Sequence, residues 1–491
     1  MASLTTYPSR PSSRWARPWT REWLADKART MLTRRLSGPM GLHGARMSHA
    51  WAYALATLSW VICMLRQSPC RQALPSDSPD RFGWMCYSDI TALFFSRGQG
   101  TGAVPYFGMN WEYPVLTGYF ATIAGGISQI FGAVLNPSAD GQQVLNNANI
   151  YFAVNAVGLF LCLLWLVASI LKIAPNYPVL AMVVAISPAI WTTGLINWDL
   201  LVVALTAAGL ASWVRDKPMT AGLWWGLAIA AKFYPLVIVG ALAVLCVRPD
   251  AWRTRATLKA WLKMAAVAVV TWVVVNLPVM VTNMTGWQYF YNFNYASRQA
   301  DLGSFWYALS LAGIHMGSAA SIWSRVIMLL GYVGLALLIY FAPKTPTAPQ
   351  IAYLAVTVMI VGNLVYSPQY VLWVLPLIVL ARPKVLDLTI FTVSELIYFA
   401  VIWMYLRQDN LTLGIPAAPW TGPGAAPIPW IYVLAILLRI AATIWVMTRV
   451  ARDCLSKAPP AQRAEEAVPL PATPVLAAAS PVSASPPLAT S

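Results

Sequence analysis

Charged side chains are scarce in this chain. Asp, Glu, Lys and Arg make up only 10% of its 491 residues, whereas a soluble domain contains about a quarter. Hydrophobic residues make up 58%, and apolar runs of roughly 17 to 25 residues, each long enough to cross hydrocarbon, recur along the sequence. These properties exclude a soluble globular protein and predict an all-α polytopic membrane protein.

Signatures of nucleotide and metal chemistry are also missing. The sequence has neither a Gly-Lys-Ser/Thr phosphate-binding loop nor a dinucleotide fingerprint. His43, His49 and His315 are the only histidines, and they suggest no histidine-based zinc site and no Ser-His-Asp triad. We therefore expect no cofactor and no metal.

The formal net charge of +16 could suggest a nucleic-acid partner, but its distribution argues against one. Basic residues cluster in the first 50 residues and in short breaks between the apolar runs. This is the positive-inside pattern of membrane proteins, whose natural partners are anionic lipid headgroups. We expect membrane lipids, and no nucleic acid, as partners.

The apolar segments and the basic breaks together predict a topology. The segments lie near 50–66, 113–134, 150–172, 178–194, 198–214, 220–231, 235–247, 261–282, 321–342, 350–366, 369–381, 385–406 and 428–448. We assume that basic breaks such as Lys172 and Lys217 face the cytoplasm, as the N-terminus does. An even number of membrane crossings must then separate any two basic breaks. Segment 113–134 would make that number odd, so we expect an interfacial helix on the outer side. About 12 transmembrane helices remain, with both termini cytoplasmic.

This topology divides the chain into three parts. Residues 1–48 form a basic cytoplasmic tail. Residues 49–450 form the transmembrane domain, which includes an outer loop at 67–111 and the interfacial helix at 113–134. Residues 451–491 form a Pro/Ala-rich cytoplasmic tail, whose composition predicts disorder.

Polar residues gather on the outer face in this arrangement. Even crossing numbers require turns near Pro188–Asp199, at "KFYP" (232–235) and at "YSPQY" (366–370), all on that side. A carboxylate there can deprotonate an attacking hydroxyl, cations can hold a phosphate leaving group, and aromatic rings can stack on sugars. Such a set suits glycosyl transfer from a lipid-phosphate sugar.

Ordered motifs add a family resemblance. The pieces are "YSDI", "PY" followed by "EYPVLTG", "NWDLL", "GLAIAAKFYPL", "SRQADLGSFWY" and "YSPQYVLWVLPL", spread over most of residues 50–382. The chain thereby resembles the GT-C integral-membrane glycosyltransferases, and among them glycosyltransferase family 87, the actinobacterial polyprenyl-phosphate-mannose-dependent α-mannosyltransferases. The resemblance implies a GT-C fold, an outer juxtamembrane helix at "EYPVLTG", a plasma-membrane location with the active site outside, and no nucleotide-sugar donor.

The resemblance also assigns roles to residues. Asp89 matches the acid that follows the first span, the expected catalytic base of a single inverting displacement. We expect Lys232 and Arg298 to hold the donor phosphate. Further candidates for substrate binding lie in the same motifs: Tyr234, Glu112, Asp199, Tyr366 and Gln369.

Several of these residues have simpler interpretations. Glu112 could cap a helix that begins at Tyr113, and Asp199 could cap the helix over 200–214. Lys232 could extend its ammonium group to the interface. The loop pair Arg298 and Asp301 could bind each other. Inside the bundle, Glu395 could pair with Arg439 in a structural role.

Cysteine positions predict one disulfide. Cys63, Cys162 and Cys246 lie in apolar segments and Cys454 lies on the cytoplasmic side. Only Cys70 and Cys86 lie in the outer loop, where oxidation is possible. We expect them to form a disulfide that braces the chain just before Asp89.

Two other functions compete with the enzyme. A transporter or lipid flippase should show internal repeats and polar groups near the bilayer midplane, and we find no convincing repeat. A protein that kept the fold but lost activity is the third candidate. We expect a monomer that contacts membrane lipids, a polyprenyl-phosphate sugar donor and a lipid or glycan acceptor.

Overall fold

The computed structural model describes residues 42–72, 80–136, 140–251, 257–296, 299–412 and 429–456. Within these ranges the regular elements are helical, apart from an isolated bridge between Pro105 and Met109. Most of the two predicted tails lies outside these ranges. The first helix begins at Leu42, before the predicted boundary at residue 49, and the last continues to Leu455, past 450.

Helices of the first half range from 6 to 33 residues in length. They are α1 (Leu42–Gln67), α2 (Asp89–Ser96), α3 (Val115–Ile130), α4 (Gly141–Ile173), α5 (Pro178–Ala185), α6 (Pro188–Thr193), α7 (Asp199–Trp213), α8 (Pro218–Ala231) and α9 (Pro235–Cys246). Short 3₁₀ turns lie at Pro69–Arg71 and Gln99–Thr101.

The second half continues in the same way. Its helices are α10 (Leu258–Thr282), α11 (Met284–Tyr291), α12 (Phe305–Leu311), α13 (Ser318–Phe341), α14 (Ala348–Gly362), α15 (Val371–Ala381), α16 (Val385–Thr412) and α17 (Pro429–Leu455). A π-helical turn at Asn292–Ala296 follows α11, and a 3₁₀ turn at Pro368–Tyr370 precedes α15.

Five segments in the described part of the chain are long and apolar enough to cross a membrane: Gly141–Ile173, Leu258–Thr282, Ser318–Phe341, Val385–Arg407 and Pro429–Leu455. Several further apolar helices are shorter, with 10 to 17 residues. Among them, α3 has 16 residues and therefore spans about 24 Å, somewhat less than the hydrocarbon core. The twelve crossings and the juxtamembrane position of α3 stay predictions.

The helices break where the sequence predicts turns. Helix α8 ends at Ala231, Lys232 has extended backbone angles, and Pro235 is the first residue of α9. Proline suits this first position because its missing N–H would have no partner within the helix there. Likewise, α6 ends at Thr193 before α7 begins, and the 3₁₀ turn separates α14 from α15.

Small residues allow α8 to pack closely against α10. Gly222 and Gly226, one turn apart, face the backbone of Met264 and Ala268. A Cβ atom on Gly226 would lie 2.6 Å from the Ala268 carbonyl oxygen, so a larger residue would force the helices apart. This contact holds the end of α8, and with it Lys232, at a defined place in the bundle.

Two links tie the predicted outer loop to the bundle. The Sγ atoms of Cys70 and Cys86 are bonded at 2.03 Å, with Cα atoms 5.8 Å apart. Asp80 Oδ2 lies 2.5 Å from Nε of Arg407, near the end of α16, and both side chains are buried. Asp80 Oδ1 also accepts a hydrogen bond from the Gly83 N–H at 2.7 Å. The chain therefore enters α2 from a constrained segment.

Candidate active site

Asp89 is the first residue of α2, and its position is set by the neighbouring backbone. Its N–H donates to the Ile196 carbonyl at 2.6 Å. The preceding Ser88 caps α2 by accepting from the Ile90 N–H, and its hydroxyl donates to the Leu195 carbonyl at 2.6 Å. The loop before α2 is thereby fastened to the loop before α7, and the Asp89 carboxylate lies at a helix N-terminus, which favours a negative charge.

Tyr113 and Asn197 orient the Asp89 carboxylate. Tyr113 Oη donates to Asp89 Oδ2 at 2.6 Å and accepts from Asn197 Nδ2 at 3.2 Å. The Tyr113 carbonyl in turn accepts from Tyr106 Oη at 2.9 Å. One carboxylate oxygen of Asp89 is thus hydrogen-bonded to the Tyr113 phenol, and Tyr113 itself accepts hydrogen bonds from Asn197 and Tyr106.

The surroundings raise the pKa of Asp89. Burial is the main cause, and it outweighs the hydrogen bonds from Tyr113 and Tyr87 and the charge of Lys232, which all lower the pKa. The pKa of Tyr113 lies well above its ordinary value, because of burial and the nearby Asp89 charge, so its phenol remains a donor. A carboxylate with a raised pKa is a stronger base than a solvated one.

Lys232 forms an ion pair with Asp199. Lys232 Nζ lies 2.5 Å from Asp199 Oδ1, and the two side chains are 17% and 2% exposed. The other carboxylate oxygen, Asp199 Oδ2, accepts from Trp373 Nε1 at 2.8 Å. The ammonium group is therefore held inside the protein.

Aromatic rings surround this ammonium group. Lys232 Nζ lies 5.0 Å from the ring centroid of Trp373, 5.3 Å from that of Tyr113 and 5.4 Å from that of Tyr370. The rings of Tyr370 and Trp373 stack at 3.7 Å, and Tyr234 stacks on the same Trp373 at 4.6 Å. Tyr234 is buried within this stack, where it supports Trp373. Aromatic rings around an ammonium group stabilise its positive charge in a site that contains little water.

Two polar groups beside the site are buried without hydrogen-bond partners among the described residues. They are Trp111 Nε1 and Gln369 Oε1. The Trp111 ring lies 5.9 Å from that of Tyr113, and Gln369 precedes Tyr370 in the 3₁₀ turn. Buried polar atoms usually have partners, so a donor and an acceptor are left for a ligand here.

The helix-cap interpretation of Glu112 is wrong. Helix α3 begins at Val115, and Pro114 occupies the cap position. Glu112 instead forms an ion pair with Arg97, the residue that follows α2. Both side chains are partly exposed, and the pair joins the two ends of the segment 97–112, which connects the end of α2 to Tyr113.

The helix-cap interpretation of Asp199 is also wrong. Trp198 occupies the cap position of α7, and no side-chain hydrogen bond caps the helix there. The Asp199 carboxylate points instead to Lys232 and Trp373. The N–H of Asp199 donates a hydrogen bond to Asn197 Oδ1 at 2.9 Å.

Tyr366 belongs to a separate buried network. Its hydroxyl donates to Glu395 Oε2 at 2.8 Å, and the guanidinium of Arg439 lies over its ring at 3.5 Å. Arg439 Nη2 donates to the Gly303 carbonyl at 3.0 Å. The phenol thus lies between the acid and the cation that the sequence suggested as a pair. Arg298 lies outside the described residues, so the proposed pairing of Arg298 with Asp301 lies outside them as well.

Sequence reasoning missed several members of the site. Tyr113, Asn197, Tyr370 and Trp373 contact Asp89, Asp199 or Lys232 as described above, yet none was a predicted site residue. All four lie within the quoted motifs "EYPVLTG", "NWDLL" and "YSPQYVLWVLPL". The motifs could have identified them, because each motif contributes side chains to the same pocket. Among the described residues, no group of three or more His, Cys, Asp or Glu side chains is placed to hold a metal ion.

Comparison with known proteins gives one family match. Residues 143–365 match the model of glycosyltransferase family 87. This segment is somewhat less than half of the chain; it contains Asp199 and Lys232 and excludes Asp89, Tyr366 and Gln369. The resemblance to that family is thereby confirmed over this segment. The assignment to mannose and to actinobacteria stays a prediction.

Two solved structures are similar to this chain at low identity. They are crystal structures of ArnT from Cupriavidus metallidurans, one bound to undecaprenyl phosphate and one in the apo state. Each is 13% identical and covers 82% of this chain and 78% of ArnT, with TM-scores of 0.39 and 0.38. No curated protein sequence matches the chain.

Proposed function

We propose that the protein is a membrane glycosyltransferase that moves a hexose, mannose, from a polyprenyl-phosphate sugar to a lipid or glycan acceptor. The observation that carries this proposal is the convergence of five separate motifs on one cluster of side chains. They contribute Asp89, Tyr113, Asp199, Lys232 and Trp373. The family match supports the reaction class for the part of the pocket that it covers.

The chemistry assigned to the pocket is a single displacement. The acceptor hydroxyl attacks the anomeric carbon, its proton passes to Oδ1 of Asp89, and the bond from that carbon to the phosphate oxygen breaks. The electron pair of the broken bond leaves with the polyprenyl phosphate. One displacement inverts the anomeric centre. Tyr113 holds the second oxygen of Asp89 at 2.6 Å, so the base keeps its orientation.

Lys232 supplies the positive charge in this proposal. A phosphate that enters the pocket would meet an ammonium group already positioned by Asp199 and three aromatic rings. Asp199 neutralises part of the Lys232 charge, so the site carries no large excess of positive charge before the substrate binds. The ammonium group can still hold the phosphate leaving group once the donor is bound. We propose no metal and no cofactor for the reaction. The plasma membrane, with the pocket on the outer side, is the proposed location.

The test uses purified protein, radiolabelled polyprenyl-phosphate mannose and a membrane lipid extract. We expect transfer by the wild type and a loss of roughly 10²- to 10⁴-fold in Asp89→Asn, which cannot accept the proton. Asp140→Asn is the matched control, because Asp140 only caps α4 through the Gln143 N–H. Equal transfer by Asp89→Asn would remove Asp89 from the mechanism. No transfer from any lipid-phosphate sugar, together with vectorial movement of lipid across vesicles, would favour the flippase.

A further inference from the structure

A cavity lies beside α2, and none of its lining residues belongs to the candidate active site. It is bounded by the turn at 99–105, by one face of α3, by Phe94 of α2 and by Tyr151 of α4, and its volume is about 180 Å³. This volume is below the roughly 300 to 1,000 Å³ of sites for drug-sized ligands, so the cavity suits a small group such as a single ring. Phe94 is five residues after Asp89, which corresponds to about 7 Å along the helix, so the cavity is close to the proposed base but separate from it.

Two buried polar atoms line this outer cavity without hydrogen-bond partners among the described residues. They are Gln99 Oε1 and Tyr151 Oη, in side chains of residues that are 5% and 1% exposed. Tyr151 lies beside Gln99 and Asn155, but its hydroxyl makes no well-formed hydrogen bond with either. Unpaired buried atoms of this kind are costly, and a bound hydroxyl group would satisfy both.

The remaining lining selects against charge. None of the residues that bound the outer cavity carries a charged side chain. The rings of Phe94 and Tyr151 lie 5.1 Å apart and form an aromatic floor. The other polar side chains of the lining are those of Gln129 and Thr122. An aromatic floor with uncharged amide and hydroxyl groups suits a ring with apolar C–H faces and hydroxyl edges, whereas a phosphate would find no counter-ion.

The mouth of the outer cavity adjoins an apolar surface. Gly125 of α3 lies on the cavity side, while Ile123, Ile127 and Ile130 on a neighbouring face of the same helix are 62%, 38% and 82% exposed. Exposed isoleucines in a row are expected to contact lipid. A ligand that reaches the cavity from the membrane could place a hydrocarbon chain along these residues and its headgroup inside.

We propose that the outer cavity binds the uncharged, hydroxyl-bearing ring of a glycolipid headgroup, and that this lipid is the acceptor. The second part rests on the proposed function, and the first does not. Binding the non-reacting ring beside α2, whose first residue is Asp89, would hold the acceptor near the base and contribute to the rate of transfer.

Binding is tested with a photoreactive alkyl glucoside in nanodiscs, followed by mapping of labelled peptides. We expect labelling of peptides from 98–105 and 121–135. Gly125→Leu fills the cavity, and its Cβ meets no atom within 4 Å, so the fold should tolerate it. Gly334→Leu is the matched control, because that Cβ is equally free and lies on α13. We expect Gly125→Leu alone to lose the labelling, and Tyr151→Phe to weaken it roughly fivefold.

Competition decides the chemistry of the ligand. We expect unlabelled alkyl glucoside to suppress labelling, and an alkylphosphocholine of equal chain length to have no effect. Equal suppression by both would overturn the selection for a neutral ring. Suppression by methyl glucoside at the same concentration would overturn the requirement for a lipid-borne ring. Labelling that Gly125→Leu leaves intact would overturn the site itself.

Turnover separates this inference from the proposed function. With transferase activity present, Gly125→Leu should raise KM for the acceptor roughly tenfold and leave KM for the donor unchanged. An unchanged acceptor KM would overturn the acceptor assignment, even if labelling stands. If the protein transfers no sugar at all, labelling of the cavity still decides whether the ring binds.

Discussion

The Asp89 carboxylate and the Lys232 ammonium group are both partly enclosed charges, and each has its own support. Asp89 has hydrogen bonds from Tyr113 and lies at a helix N-terminus. Lys232 has Asp199 and three aromatic rings. Charges in such surroundings persist only with partners, so a change to a partner of Asp89 should alter the pH dependence of the reaction, and a change to the partner of Lys232 should alter stability.

Tyr113→Phe should shift the pH dependence of transfer. The base must be ionised, and its pKa is raised, so the rate falls as the pH drops through that raised pKa. The hydrogen bond from Tyr113 favours the ionised form, so its removal raises the pKa further. We expect the acid limb of kcat/KM to move to higher pH by roughly one unit.

Tyr119→Phe is the control for this profile, since the Tyr119 hydroxyl donates to the Val275 carbonyl at 3.2 Å. An acid limb that stays in place in Tyr113→Phe, or that moves to lower pH, would show that Asp89 is not the group that titrates.

Asp199→Asn should lower the free energy of unfolding by about 3 kcal/mol. The change leaves the Lys232 ammonium group without its counter-ion, while the Asn oxygen can still accept from Trp373. Unfolding by SDS in mixed micelles measures the difference. Lys217→Met, which changes an exposed lysine, should have no effect. If the double variant Asp199→Asn, Lys232→Met is as unstable as the sum of the single changes, the two groups do not interact.

At the scale of elements, the helix breaks build the site. The helices are interrupted at 194–198, at 232–234 and at 363–370, and side chains that lie in these breaks or follow them directly meet around Lys232. The segment before α2 joins them through the backbone bonds of Ser88 and Asp89 to the first break. Breaks between short helices place polar backbone groups and side chains inside the bundle, where the backbone groups of an intact helix would be bonded to one another.

The Cys70–Cys86 bond should stabilise the segment that leads to Asp89. Chain entropy for a loop of this length predicts that Cys70→Ser together with Cys86→Ser costs roughly 3 kcal/mol. The melting temperature of the wild type should fall on reduction to that of the double variant. Cys454→Ser, which changes a buried free cysteine, controls for the substitution. Alkylation of both Cys70 and Cys86 in unreduced protein would contradict the bond.

At the scale of the whole molecule, positive charge is arranged around the helix ends. Exposed Lys217 lies between α7 and α8, whereas Thr101 lies in the 3₁₀ turn between α2 and α3 and Phe131 directly follows α3. The predicted topology puts Lys217 in the cytoplasm and the other two outside. Long-range links such as Asp80–Arg407 then join the outer loop to a helix more than 300 positions later in the sequence.

Labelling of single cysteines in intact cells tests this topology. On a background without exposed thiols, Thr101→Cys and Phe131→Cys should react with an impermeant maleimide, and Lys217→Cys only after permeabilisation. Protection of Phe131→Cys in intact cells would show that α3 crosses the membrane. Labelling of Lys217→Cys from outside would reverse the orientation.

Sequence alone determined the helical class, the approximate ends of the helices and the motifs that carry the site, because hydrophobic length, proline and charge act locally. It also identified Asp89, Lys232 and the cysteine pair as candidates. Only the tertiary structure decided that Asp199 binds Lys232 and does not cap a helix, that Glu112 pairs with Arg97, and that Tyr366 belongs to the Glu395 network. These outcomes depend on which helices become neighbours, and packing between distant segments, unlike a helix end, leaves no local pattern in the sequence.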